Sequence, residues 1–231
     1  MATSRRHQHT LGDDTGTPLR PLMLLARAGA LGFILLLLVL HFVSHGFDPM
    51  SRFVSEYVLG DYPWLMRLAF LSVTLALLAM TLLVHRALPP SRRRTVVTGL
   101  FGVTAVATLV AGAFDTDSKY VFTEEPSTSG LIHYWAFMIS VLALLTGVFV
   151  LWRLFAQTPA WRVHARSQLL FASAMLATFL LMFTSVAIEG LAQRVFLLVS
   201  LGWLVVASGW LARADVPARR REEAAARVTS P

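Results

Sequence analysis

Four residues in this chain are of metal-ligating type and lie close to the ends of apolar stretches: His41, His45, Asp115 and His133. His41 and His45 are four apart, so a helix presents both imidazoles on one face. Imidazole and carboxylate are ordinary Zn²⁺ ligands, and together these four could hold a zinc ion that activates water. A second group of residues is suited to binding rather than ligation. Ser55 and Glu56 lie between the first two apolar stretches. Arg67 lies about a turn into the second, Asp115 and Asp117 follow the third, and His133 opens the fourth. Arg194 precedes the sixth. Such a set offers hydrogen bonds and charge to a polar head group: Arg67 or Arg194 suits a phosphate, and Ser55 could donate to a developing oxyanion.

These residues are informative because of what surrounds them. Of the 231 residues, 56% are hydrophobic and only 14% charged, against about 25% charged in a soluble domain. A bilayer core is crossed by about 20 mostly apolar residues, and six stretches qualify: Leu22–Val43, Trp64–Val84, Val96–Phe114, Leu131–Trp152, Leu169–Ile188 and Val195–Ala212. The expected fold is all-α, a polytopic bundle of six transmembrane helices over residues 22–213. Residues 1–21 and 214–231 read as polar cytoplasmic tails. The first stretch is too long for a signal-peptide core and has no small-residue cleavage site after it, so it reads as a retained helix.

Arginine placement sets the expected orientation. Arg5, Arg6, Arg20 and Arg27 stand before or at the start of the first stretch. Arg86 and Arg92–Arg94 separate the second and third, Arg153, Arg162 and Arg166 the fourth and fifth, and Arg213, Arg219–Arg221 and Arg227 follow the sixth. All fall on one side, which the rule places in the cytoplasm with both termini. The opposite side holds Asp48, Glu56, Asp61, Asp115, Asp117, Glu124, Glu125 and Glu189. The net charge of +7 therefore reflects topology and contact with anionic lipid, and nucleic-acid binding is not needed to explain it. A multi-pass plasma-membrane protein is expected, with membrane lipids as partners.

The first outer loop runs from His45 to Gly60. Asp48 before Pro49 is a helix-start signal, and Phe53, Val54, Tyr57 and Val58 share a face. A short interfacial helix on the outer membrane surface is expected there. The chain has no Cys, which excludes disulfides, thiolate metal sites and Cys nucleophiles. Haem held between paired histidines is disfavoured, because His41 and His133 are the only two near helix interiors and both lie toward the same face.

The run Asp48-Pro49-x-x-x-Phe53-Val54-Ser55-Glu56-Tyr57-x-x-Gly60, followed by Trp64-Leu65-Met66-Arg67-x-x-Phe70, resembles the bacterial and archaeal membrane proteins of domain-of-unknown-function family 998. Phe114-Asp115-Thr116-Asp117, His133 and Gln193-Arg194 are similar to its later elements. The resemblance spans about Leu25 to Leu211 and implies a polytopic protein of six helices with no assigned activity. The polar residues it marks are Ser55, Glu56, Tyr57, Arg67, Asp115, Asp117, His133, Gln193 and Arg194. The function expected from residues and resemblance together is binding of a lipid head group or other small ligand at the extracytoplasmic face. The alternative is a metal-dependent, membrane-embedded hydrolase or lipid-modifying enzyme.

Overall fold

The computed structural model describes residues 19–118, 125–185 and 187–213. Within them the chain forms six α-helices and two short 3-10 helices: α1 Leu19–Val43, α2 Pro63–Ala87, α3 Arg92–Ala113, α4 Thr128–Gln157, α5 Arg162–Leu181 and α6 Glu189–Ala212. The 3-10 segments are Val54–Leu59, between α1 and α2, and Pro159–Trp161, between α4 and α5. Local chemistry explains several ends. Pro63 occupies the first turn of α2, where its missing N–H costs nothing. Ser91 caps α3 by accepting from the Arg94 amide at 3.1 Å, and Ser127 caps α4 by accepting from Gly130 at 2.9 Å.

Each helix packs on its sequence neighbour, and α6 returns to α1, so the six close into a ring; α2 also reaches α6 across it. Small residues allow the tightest approach, between α1 and α2. A Cβ on Gly29 would lie 2.4 Å from the carbonyl oxygen of Ser72, and the Ser72 hydroxyl donates to the Gly29 carbonyl at 2.9 Å. This is how membrane helices associate when the surrounding solvent is as apolar as their side chains. The outward faces carry exposed Leu35, Val106, Leu142, Leu170 and Leu198.

Five helices, α1, α2, α3, α4 and α6, are long and apolar enough to cross a membrane. The fifth and sixth expected stretches are displaced. α5 begins seven residues before Leu169 and stops at Leu181, and turns follow at Met182, Phe183 and Thr184 and again at Ala187 and Ile188. Glu189, expected to end the fifth helix, instead opens α6. Hydropathy excluded Arg162, Arg166, Gln168, Gln193 and Arg194 from the expected spans, yet helices include polar residues wherever the fold satisfies them. Gln168, fully buried in α5, donates to the Val148 carbonyl at 3.0 Å and accepts from the Trp203 indole at 2.8 Å.

The first outer loop also differs from expectation. Asp48 caps a turn and not a helix, accepting from the Met50 amide at 3.1 Å and the Ser51 amide at 3.2 Å. The helix begins later, at Val54, and it is a 3-10 helix in which Val54, Ser55, Glu56 and Tyr57 are all buried. It is folded into the protein by more than one apolar face.

Candidate functional site

The first turns of α2, α4 and α6 and the last turns of α1, α3 and α5 share one end of the ring, because successive helices alternate in direction. Every residue singled out in the sequence stands at this end. They form three separate arrangements.

The first is a latch that seats the outer loop. Arg194, in the second turn of α6, is buried and donates from Nη1 to the carbonyls of Pro49 (2.8 Å), Arg52 (2.7 Å) and Gly190 (3.0 Å). Its Nη2 donates to the Tyr57 hydroxyl at 3.3 Å and its Nε to His41 Nε2 at 3.0 Å. His41 Nδ1 lies 2.7 Å from the Leu37 carbonyl. A carbonyl only accepts, so Nδ1 carries the proton and Nε2 offers the lone pair that Arg194 uses. Glu56 accepts from the Phe53 amide at 2.9 Å and lies 3.6 Å from Arg52. Gln193 Oε1 accepts from the Val54 amide at 2.6 Å, and the Leu191 amide donates to the Met50 carbonyl at 3.0 Å. Gly190 is required here: a Cβ would stand 2.3 Å from the Arg52 carbonyl oxygen and 2.8 Å from its nitrogen.

The second arrangement closes the rim. Arg67 Nη2 donates to both carboxylate oxygens of Asp115, at 2.9 and 3.0 Å, tying α2 to the end of α3 in the pairing expected of a membrane-embedded arginine. Both side chains are about half exposed, at 51% and 44%. Asp117 accepts from the Ser127 amide at 2.9 Å and hydroxyl at 2.7 Å, at the start of α4. Ser129 donates to the Asp115 carbonyl at 2.9 Å.

The expected metal set does not assemble. His41 is committed to Arg194, Asp115 to Arg67, His45 is exposed on the loop, and His133 faces α3. Among the described residues no group of three His, Cys, Asp or Glu side chains could hold an ion. His41, Asp115 and His133 come from helices or helix ends at different places around the ring, and each finds a nearer partner. Glu124 lies outside the described residues.

The third arrangement is a cavity of about 90 Å³ enclosed by α1, α2, α3, α4, α6 and the first 3-10 helix. Phe33, Phe70, Leu77, Phe137, Leu144 and Trp203 contribute to a mainly apolar wall. Four hydroxyls also line it, and backbone carbonyls take them up. Thr104 donates to Leu100 (2.9 Å), Thr108 to Thr104 (2.8 Å) and Ser200 to Phe196 (2.8 Å). Ser140 bridges the Thr108 hydroxyl at 2.8 Å and the Thr104 carbonyl at 3.3 Å.

Three further polar side chains line the outer end of this cavity: Ser55, His133 and Gln193. All are at least nine-tenths buried, with 9%, 6% and 6% of their surface exposed. His133 Nδ1 lies 2.7 Å from the Ala111 carbonyl and 3.0 Å from that of Phe114, so Nδ1 carries the proton and Nε2 is an acceptor. The His133 ring also meets Phe70 edge-on at 5.9 Å. Gln193 gives its oxygen to Val54, which leaves its amide NH₂ as donors. Among the described residues, the Ser55 hydroxyl, His133 Nε2 and the Gln193 NH₂ engage no protein partner.

Of the residues expected to surround one site, the structure thus gathers Ser55, His133 and Gln193. Glu56, Tyr57 and Arg194 stand behind them in the latch, and Arg67, Asp115 and Asp117 on the rim. The wall residues Thr104, Thr108, Ser140 and Ser200 were missed by sequence reasoning. The signal was present in part: hydroxyls four apart on α3, within an otherwise apolar stretch.

No curated protein and no solved structure matches the chain. A family model does, across residues 27–210, most of the protein and nearly the whole helical ring. That span includes the loop motif from Asp48 to Gly60, the Arg67–Asp115 pair, His133 and the Gln193-Arg194 step, so the chain belongs to the family described as Protein of unknown function (DUF998).

Proposed function

We propose that this protein is a six-span membrane protein that binds a small ligand in the cavity at the outer end of its helical ring. One observation carries the reading: Ser55, His133 and Gln193 hold unused hydrogen-bonding capacity on a single buried cavity whose other hydroxyls are consumed. Three such groups facing one cavity, none with a protein partner, are the counterpart of a ligand. The hydrolytic alternative lacks such support, because His41 and Asp115 are committed elsewhere and no three candidate ligands converge among the described residues.

The sixth span is α5. Its 20 residues reach about 30 Å at 1.5 Å per residue, the thickness of a hydrocarbon core. Leu170, Leu176 and Leu180 face outward, and the helix packs between α4 and α6. Exposed Tyr62, Trp64, Tyr134 and Trp135 mark the outer interface as an aromatic belt. The arginines at the opposite helix ends put both termini in the cytoplasm, against the anionic leaflet of the plasma membrane. The ligand site then faces the extracytoplasmic side, and the ligand is drawn from the outer leaflet or the space beyond it.

The test is retention of a bound molecule. Wild-type protein purified in mild detergent is extracted with organic solvent and the extract weighed by mass spectrometry. It is compared with Ser140→Phe, which fills the cavity from α4. One species recovered at near-stoichiometric amount from wild type and depleted in the variant supports binding. Equal recovery from both proteins, or none from either, overturns it.

A further inference from the structure

We propose that the cavity selects an uncharged hydroxyl head carried on an apolar chain, a neutral alcohol in chemical class; this rests on the cavity being a ligand site. Two features define the class. The first is charge. Among the described residues no Asp, Glu, Lys or Arg lines the cavity. Arg194 is turned into the latch by five hydrogen bonds, and Arg67 is held by Asp115 on the rim. A phosphate, carboxylate or ammonium placed there would be a buried charge without a partner, which is far more costly than a buried neutral group.

The second feature is the pattern of donors and acceptors. His133 Nε2 only accepts, because its Nδ1 proton is held by the Ala111 and Phe114 carbonyls. The Gln193 NH₂ only donates, because its oxygen is held by Val54. Ser55 can do either. A ligand hydroxyl answers all three: its proton goes to His133 Nε2, and its oxygen accepts from Gln193 and Ser55. A ketone or an ether satisfies Gln193 and Ser55 but leaves His133 unmet. An ammonium satisfies His133 but leaves the Gln193 donors facing a cation. Beyond the head, the hydroxyls of Thr104, Thr108, Ser140 and Ser200 give their protons to backbone carbonyls, and Phe33, Leu77, Phe137 and Leu144 make the rest of the wall mainly apolar.

Volume sets the size. A cavity of 150 Å³ accommodates benzene; on that scale, the 90 Å³ here holds about four non-hydrogen atoms, a hydroxyl with three carbons behind it. Longer alcohols enter by displacing side chains such as Phe70 and Phe137, or bind through this end alone.

Fluorine NMR on the full chain in detergent tests the class with three probes of one length, small enough for the cavity: 2-fluoroethanol, fluoroacetate and 2-fluoroethylammonium. The alcohol is expected to show saturable line broadening that disappears in Ser140→Phe, and the two ions to show none that depends on the cavity. Ser55→Ala removes a hydroxyl with no protein partner, leaving the fold intact, and should weaken the alcohol about two- to ten-fold, the effect of one hydrogen bond. Gln193→Glu keeps the acceptor for Val54 and removes the donors, and should weaken it by at least as much. Cavity-dependent binding of either ion as strong as that of the alcohol overturns the proposal, as does alcohol binding that is indifferent to both Ser55→Ala and Gln193→Glu. Absence of any cavity-dependent alcohol signal overturns it as well. If a molecule is still retained by wild type and lost from Ser140→Phe, only the hydroxyl class is wrong; if retention also ignores Ser140→Phe, the binding site itself falls.

Discussion

Two arginines at the outer end of the bundle look equivalent in the sequence and are not. Arg67 meets one carboxylate at a half-exposed rim, and exposed ion pairs contribute about 0–1 kcal/mol. Arg194 is buried and supplies donors to the carbonyls of Pro49, Arg52 and Gly190 and to His41 and Tyr57. Without it the loop carbonyls lose their donors in a site closed to water. Arg67→Ala should therefore lower stability by about 1 kcal/mol at most, and Arg194→Gln by about 3 kcal/mol or more, read from denaturant unfolding of the purified protein. Arg194→Lys should not restore stability, because an ammonium lacks the planar fork that serves several acceptors at once. Equal effects of the Arg67 and Arg194 substitutions would contradict this ranking.

Asp48 makes a prediction at the same scale. Hydrogen bonds from the Ser51 side chain, then from the Met50 amide, hold its pKa below the ordinary value of 3.8. A depressed carboxylate contributes stability above its unfolded pKa and loses it as pH falls through its folded pKa. Wild type should exceed Asp48→Asn in melting temperature at pH 6, and the two should converge as the pH falls below 3.8 and through the depressed folded pKa. A gap that persists at low pH would mean that the carboxylate charge is not what shapes the turn.

At the scale of elements, the loop over residues 44–62 is held against α6 by backbone contact as much as by side chains. The approach of Arg52 to Gly190 leaves no room for a methyl group. Gly190→Ala should lift the loop at a cost of about 1–3 kcal/mol, or about ten-fold or more in the population of the opened state. The chain has no native Cys, so Ser55→Cys can report this opening. Its reaction with a small neutral methanethiosulfonate should be about ten-fold faster or more when Gly190→Ala is added. An unchanged rate would show that the loop is not what closes the cavity. Glu56 and Tyr57 are legible in the sequence as special, but not their places in the latch. Their role depends on α6 lying beneath them, which no local pattern in residues 48–60 encodes.

For the whole molecule the prediction is orientation. Glu125 and Ala160 are exposed in loops at opposite ends of α4. In intact cells a membrane-impermeant thiol reagent should label Glu125→Cys, while Ala160→Cys should be labelled only after lysis. The reverse pattern would move the cavity mouth to the cytoplasmic side, and with it the source of the ligand.

The helical class and the long apolar helices could be read from the sequence alone. Those properties follow from summed hydropathy, which does not depend on which helix neighbours which. That Arg67 needs a carboxylate was legible too, since a charge in a span needs a countercharge at its own depth; Asp115 and Glu189 were both candidates, and the fold supplies Asp115. Tertiary structure decided the rest. His41, Asp115 and His133 come from different places around the ring, so a metal site plausible by type is absent among the described residues. Ser55, His133 and Gln193 come from three distant segments, and their free valences appear only after nearer groups have taken Nδ1 of His133 and the oxygen of Gln193. Residue types specify what each side chain can donate or accept. Only packing specifies which of those capacities remain unspent, and on which cavity they converge.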